Sequence, residues 1–432
     1  MGYIRQGTAA FRKSNLAFFA AGFNTFAILY STQPILPVFS TEFHVSPAMA
    51  SLALSVTTIA LAVSMLVFGT ISEVWGRKPV MIGSMLAASV LSVLTASSTS
   101  FDSLLVFRVI QGIALGGLPS IAMAYLGEEV EPTSLGVAMG LYISGNSVGA
   151  VSGRIISGML TDWFNWHVAM GAISAISLIA SLIFWLNLPK SQNFHPRSPE
   201  VGKLVSSMVS HLQDPGLLCL FGIGFLILGS NVALYNYIGY VLTAPPYSLS
   251  QTLVGWIFIV FLVGTVSSVW MAKKAELHGR AKVVMVSLVI TLAGACLTLD
   301  AHLYLKILGL PILTFGFFGS HSIASSWVGR RALHDKAQAS SLYLFFYYAG
   351  SSVGGTLGGV FWSSLGWGGV VAMVAGFVLI GLALAVRLSK VPPAAALKVN
   401  GAVNMPTAKE RDHALGKGSA SRQPLGGPDV FQ

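Results

Sequence analysis

Twelve apolar segments follow one another along this chain with few polar gaps between them, and each is long enough to cross a bilayer. A membrane helix needs about 20 mostly apolar residues. The segments cover roughly 15–38, 47–71, 79–98, 103–126, 134–160, 166–188, 215–241, 250–272, 281–299, 303–328, 337–363 and 367–388. The chain is 54% hydrophobic and 9% charged, with a mean hydropathy of +0.73. A soluble domain carries about a quarter charged residues. Too few polar groups are present to cover a surface, so lipid must do part of the solvating. Arg5, Arg12 and Lys13 precede a first apolar run that is too long for a signal h-region and lacks a small-residue cleavage site. It is predicted to be the first membrane helix.

The expected fold is all-α, with twelve transmembrane helices in two pseudo-symmetric six-helix halves. The N-terminus is residues 1–14, the first bundle 15–188, a polar central loop 189–214, the second bundle 215–388 and a tail 389–432. The loop carries Lys190, Arg197, Lys203 and three prolines. The tail is polar and rich in Gly, Pro and Ala, and is expected to be disordered. Of the 25 Lys and Arg, all but Arg108, Arg154 and Lys306, hence 22, fall on one side if the spans alternate. The positive-inside rule then puts both termini in the cytoplasm, and it accounts for the net charge of +10 without nucleic acid. Cys219 and Cys296 match neither a disulfide framework nor a metal spacing. They read as small core or lipid-side residues.

The halves repeat. Glu73-Val-Trp-Gly76-Arg77 stands against Glu276-Leu-His-Gly279-Arg280, and Gly145, Gly149 and Gly153 stand against Gly350, Gly354 and Gly358. Tyr30 has Tyr235 at the same offset as the glycines. In the turns, glycine permits a tight bend. The acid and base can pair in a half-desolvated interface and latch that face. The alternative is that Arg77, Lys78 and Arg280 only anchor the topology. Glycines four apart let another helix approach closely. They are expected to pack across the boundary between the halves.

Gly69-x-x-x-Glu73-x-x-Gly76-Arg77-Lys78 resembles the loop motif of the major facilitator superfamily between spans two and three, with Val74 in place of the family's following base. Arg108-x-x-Gln111-Gly112 in span four resembles a second motif of that superfamily. Gly136, Gly145, Gly149 and Gly153 in span five follow the glycine pattern of its drug/proton antiporter branch. Ala150 stands where that branch has proline, and Arg154 where it has a second glycine. The runs 139–146, 235–240 and 338–343 look like YnfM-type inner-membrane transport proteins. The similarity spans all twelve segments. It implies a multi-pass protein of the cell inner membrane, and a role for Arg108 in proton coupling or in the central cavity.

A charge inside a span is a functional hypothesis by default. Arg108 lies about six residues from the outer end of its span, roughly 9 Å deep. Snorkelling to the headgroups is the plain alternative. Arg154 is read either as a structural partner of Asp162 or of backbone carbonyls at an outer helix end, or as a second cavity arginine that attracts an anionic or polyhydroxylated ligand. No acidic residue sits mid-membrane, which disfavours export of cationic drugs. Asp162 and His321 are the candidates for proton exchange. The expected lining of a substrate cavity is Asn24, Tyr30, Gln33, Asn146, Asn231, Tyr235, Asn236, Tyr347 and Tyr348, a set of amides and phenols suited to neutral polar ligands. Each could instead be a hydrogen bond between helices, worth about 0.6 kcal/mol.

The sequence therefore predicts a secondary transporter of a small solute working by alternating access, with proton-coupled efflux of a neutral or anionic polar compound as the preferred mode. It is expected to act as a monomer in the lipid bilayer, with no cofactor, metal or nucleic acid. A multidrug efflux antiporter is one alternative. A transport-like membrane sensor is another, although the tail is too short for a signalling domain. No catalytic constellation or phosphate-binding loop points to an enzyme or an ATP-driven pump.

Overall fold

A computed structural model describes residues 3–194, 196 and 201–392. Arg197 and tail residues 393–432 lie outside the described residues, so the expectations placed on them are not addressed. All elements belong to one unit, Met1–Lys390. They are α1 (Ala9–Tyr30), α2 (Leu36–Glu42), α3 (Pro47–Trp75), α4 (Arg77–Ala96), α5 (Phe101–Leu115), α6 (Pro119–Glu129), α7 (Leu135–Trp163) and α8 (Trp166–Asn187). Then come α9 (Val201–Leu212), α10 (Pro215–Thr243), α11 (Gln251–Ile257), a short 3-10 stretch Phe258–Leu262, α12 (Val263–His278), α13 (Arg280–Leu297), α14 (Leu303–Arg331) and α15 (Lys336–Lys390).

Nine stretches among the described residues are long and apolar enough to cross a membrane. One of them, α15, is two helices joined at Gly366, whose φ is +59°. With α1 and α7 the spans number twelve. Local chemistry fixes their ends. The Ser46 hydroxyl accepts the Met49 N–H ahead of Pro47 at the start of α3. Asp214 accepts the N–H groups of Gly216 and Leu217 at 2.8 and 2.7 Å ahead of Pro215 at the start of α10. Such caps satisfy donors that the first helical turn leaves open.

The duplicated turn is one structure used twice. Gly76 ends α3 at φ +96°, and Gly279 ends α12 at φ +87°. Only glycine adopts this backbone without strain. Each turn hands the chain straight to the next span.

Several boundaries differ from expectation for identifiable reasons. The first span ends at Tyr30, not near residue 38, because Pro34 and Pro37 cannot continue it and start α2 instead. Span four is split between α5 and α6 at Gly116, Gly117 and Pro119. The central loop holds an amphipathic helix, α9, where a polar loop was expected.

The glycine stripes also differ. They pack inside each half and not across the boundary. Gly145, Gly149 and Gly153 of α7 lie against the backbone of Phe19, Phe23 and Ala27 of α1. Gly350 and Gly354 of α15 lie against Phe225 and Gly229 of α10, and Gly358 lies against Tyr237 and Ala233. Other small residues close the boundary. Gly158 meets Gly255 and Gln251, Gly355 meets Ser55, and Gly359 meets Ala48.

Candidate functional site

Three regions collect the polar side chains that an apolar bundle must explain. The first is the face carrying both glycine turns, here called the basic face. Arg77 is buried there and makes a two-pronged contact with Glu128 at the end of α6. Its Nε donates to Oε2 at 3.3 Å and its Nη2 to Oε1 at 2.9 Å. Nη1 donates to the Ser72 hydroxyl at 2.6 Å, and the Phe194 ring covers the guanidinium at 5.5 Å. Glu73, the partner expected from the motif, is only at 3.9 Å and is 44% exposed. Lys78 donates to the Leu188 carbonyl at 2.5 Å.

The second turn does not copy this clasp. Glu276 pairs at 3.6 Å with Arg330, both well exposed, and Arg280 forms no ion pair among the described residues. Position 331, 203 residues after Glu128, is itself an arginine, and it binds Asp214 at 2.6 Å. The charges of the two halves are thus rearranged, and each clasp closes within its own half. Glu128→Ala should therefore cost about 1–3 kcal/mol through the stranded arginine. Glu73→Ala should cost less than about 1 kcal/mol, as exposed pairs do. Thermal unfolding of the two variants in detergent checks this order.

Between the halves on the basic face lies a cavity of 660 Å³. Met65, Glu73 and Arg77 line it from one half, Gln338 and Ser341 from the other, and Leu204, Ser207 and Met208 of α9 across its mouth. A histidine pair holds α9 in place. The buried His211 stacks on His334 at 4.8 Å, and the His334 Nδ1 sits 3.2 Å from an Asp335 carboxylate oxygen. Burial, with His334 alongside, pushes His211 below the ordinary value of 6.5, against the pull of Asp335 and Asp214. A lowered value means that docked α9 binds fewer protons than released α9. The contribution of a neutral His211 to docking is then full above about pH 6.5 and weakens as pH falls below that value. Corrected for the slower intrinsic exchange at lower pH, protection of the α9 amides should fall between about pH 7.5 and pH 5.5. His334→Ala should flatten that response.

The second region is the opposite face, where the halves are bridged directly. Gln33 Nε2 donates to Asn236 Oδ1 at 2.8 Å. The Ser40 and Tyr240 hydroxyls meet at 2.7 Å, and Tyr240 donates to the Leu36 carbonyl at 2.9 Å. Asp162 accepts from the Thr252 hydroxyl at 2.6 Å. Asp162 is thus a tie between α7 and α11 and not the partner of Arg154.

The third region is the interior. Arg108 is fully buried, and its hydrogen bonds end on protein atoms. Nε donates to the Ala53 carbonyl at 2.8 Å. Nη1 donates to the Ile28 carbonyl at 3.2 Å and to Gln111 Oε1 at 2.8 Å. Nη2 donates to the Leu29 carbonyl at 3.0 Å and to the Thr32 hydroxyl at 3.4 Å. Gln111 Nε2 donates on to the Ala88 carbonyl at 3.1 Å. The charge sits at the carbonyl end of α1, where a helix favours a cation. Neither snorkelling nor an open cavity describes it. Asn24, expected in the cavity, also faces the interior of the first half, donating to the Ser181 and Ser89 hydroxyls at 3.0 and 3.5 Å. Asn146 packs against Gly22 of α1.

Arg154 differs. It is 2% exposed, yet only two of its three nitrogens are used: Nε donates to Gln33 Oε1 at 2.8 Å and Nη1 to the Ala150 carbonyl at 2.7 Å. Three rings surround its guanidinium, Tyr30 at 4.0 Å, Phe261 at 4.8 Å and Phe258 at 4.9 Å. Tyr235 packs on both phenylalanines and donates or accepts at Thr314 Oγ1 at 2.7 Å. Among the described residues no carboxylate lies within 4.0 Å of Arg108 or Arg154. Next to this cage lie Tyr347 and Tyr348, then His321, which stacks on Tyr347 at 4.4 Å with Nδ1 3.0 Å from the Tyr343 hydroxyl.

Tyr30, Gln33, Arg154, Tyr235, Asn236, His321, Tyr347 and Tyr348 are therefore brought into one zone between the halves. Sequence reasoning missed Phe258, Phe261 and Glu128. The phenylalanines carry no signal among so many apolar residues. Glu128 belongs to an acidic cluster with Glu129 and Glu131 at the end of span four, a signal that was available.

Comparison with known proteins agrees with this architecture. A family model described as Major Facilitator Superfamily matches residues 16–247 and 220–425. The chain is 62% identical over 390 residues to the MFS-type transporter YybF of Bacillus subtilis (strain 168), covering 90% of this chain and 96% of that one. It is 45% identical over 388 residues to the inner membrane transport protein YnfM of Escherichia coli (strain K12), covering 90% and 93%. A bacterial homolog of the human lysosomal transporter Spinster, solved inward-facing and unoccupied, shares the fold at TM-score 0.73 and 16% identity, covering 88% of this chain and 97% of that one.

Proposed function

We propose, from the premise that this chain belongs to the Major Facilitator Superfamily, that it exports a small neutral or anionic polar solute by proton-coupled alternating access. One observation carries the reading. The halves part around a 660 Å³ cavity on the basic face, while hydrogen bonds and close glycine contacts join them on the other. Alternating access requires such an asymmetry and its reverse. The excess of Lys and Arg makes the basic face cytoplasmic, so this is an inward-open form with both termini inside. The name of the Escherichia coli relative supports placement in the inner membrane. One chain contributes both walls of the cavity, and a monomer suffices.

The geometry supports the following roles. Arg77 with Glu128 braces the first half at the cytoplasmic face. Arg108 and Gln111 tie α1, α3, α4 and α5 into one body, so Arg108 acts on the solute through position and not contact. Asp162 is held at the opposite rim, which leaves His321 as the proton carrier beside the central zone. A buried arginine without a carboxylate repels cations, and this weighs against the multidrug antiporter reading. Proteoliposomes loaded with a pH-sensitive dye test the proposal. Sugars or organic anions should drive proton movement across the membrane in a protein-dependent way. Flux driven only by lipophilic cations, or by no solute, contradicts it.

A further inference from the structure

Buried polar groups in a membrane protein interior are normally paired, because lipid and apolar side chains offer them nothing. The zone around Arg154 instead gathers polar groups that the protein itself does not pair. Arg154 Nη2 donates to no described residue. The side chains of Tyr30, Tyr347 and Tyr348 are largely buried, yet their hydroxyls are not among the sealed polar atoms, so they edge onto open space within the zone. The amide nitrogen of Asn236, a residue 1% exposed that is linked through Gln33 to Arg154, is sealed from solvent without a partner. These groups come from both halves: Tyr30 and Arg154 from α1 and α7, Asn236 from α10, and the other tyrosines from α15. The same zone is walled by rings, with Phe258, Phe261 and Tyr235 between 4.8 and 6.1 Å of one another.

We propose that this zone binds a monocarboxylate with a flat apolar body, and that Arg154 selects it. The inference rests on the transport reading above and names the solute class of that site. The carboxylate accepts from the free Nη2 edge of Arg154 and from the phenolic hydroxyls, and the body lies against the rings. Charge sets the class. With His321 neutral, as an exchange of solute for proton requires when solute is bound, the zone holds one positive charge and no carboxylate within 4.0 Å, so a monoanion neutralises it. A dianion leaves one negative charge buried. A neutral analogue leaves the guanidinium unpaired, and a cation adds repulsion. Each of those outcomes is costly at low dielectric. The three surrounding rings and Gln33 fix the plane of the guanidinium, and a fixed plane is what directional carboxylate binding needs. Arg108 is excluded from this role because its donors are already used. The zone lies one short helical stretch beyond the cytoplasmic cavity. Ser341 lines that cavity, and Tyr347 and Tyr348 lie six and seven residues further along the same helix, about 10 Å away.

Thermal unfolding of the detergent-solubilised full chain tests this with benzoate, phthalate, benzamide and benzylamine as probes. Benzoate alone should raise Tm. Arg154→Gln should weaken the benzoate response at least tenfold, and Arg154→Lys should restore little of it. If Arg154→Gln does not fold, Tyr30→Phe/Tyr348→Phe removes two hydroxyls only and should still weaken benzoate several-fold. Stabilisation by benzylamine or phthalate, no response to benzoate, or a benzoate response unchanged in these variants overturns the assignment. The proteoliposome assay separates the two levels. Proton flux driven by sugars with no benzoate binding removes the solute class and leaves the transporter, whereas no flux with any solute removes the transport reading.

Discussion

Arg108→Ala is expected to prevent the first half from folding stably. It should not yield a folded but inactive protein. The guanidinium bridges the carbonyls of Ile28, Leu29 and Ala53 and the side chain of Gln111, and so ties α1 and α3 to α5. Each hydrogen bond from a charged group contributes about 1.5–3 kcal/mol, and Gln111 Oε1 would be stranded away from water, whereas the Ala53 and Ile28 carbonyls keep Thr57 and Ser31 as donors. The loss should exceed about 3 kcal/mol, a large share of the 5–15 kcal/mol that domains possess. Lysine offers a point charge without the planar fork, so Arg108→Lys should recover only part. Monodispersity on size exclusion and Tm in detergent check both variants. A folded Arg108→Ala protein with near-normal Tm would show that these bonds are dispensable.

Gly149→Val should be comparably severe for a steric reason. A Cβ at Gly149 would run into the Phe23 carbonyl of α1, and one at Gly354 into the Gly229 carbonyl of α10. In both cases the obstacle is backbone, which cannot rotate away as a side chain can. Each substitution must push two spans apart along their length. Overpacking of a tight core costs about 1–3 kcal/mol per site, and more where the backbone must move. Gly354→Val should copy the phenotype in the second half. Gly140→Val is the control, because a Cβ there meets nothing within 4 Å. Expression and Tm of the three variants decide the matter.

The twelve spans were legible because hydropathy reports a solvent, and lipid leaves an unbroken mark of about 20 residues per crossing. The duplicated turn was legible because Gly76 and Gly279 each need a left-handed backbone. Contacts were less so. The glycine stripes were recognised, but a stripe states that some helix comes close and not which one. The partners proved to be α1 and α10 within each half. Glu73 was read as the partner of Arg77 because it is near in sequence, whereas the end of α6 delivers Glu128 at 2.9 Å. Arg108 and Arg154 look alike from hydropathy alone. What separates them is the supply of acceptors: helix carbonyls surround the first and aromatic faces the second. That difference depends on how four or five spans meet, and no local pattern encodes it.

The account stands or falls on whether the two faces open in turn. In a background with Cys219→Ser and Cys296→Ser, spin labels would be placed at Thr70 and Ala337 across the basic face, and at Thr161 and Leu253 across the opposite face. Gln33→Ala removes the side chain that links Arg154 to Asn236. Pulsed electron–electron distance distributions in liposomes should then show a reciprocal change. The Thr161–Leu253 distances lengthen while the Thr70–Ala337 distances shorten. Lengthening across the opposite face with an unmoved basic face, or widening of both together, would contradict alternating access in this chain.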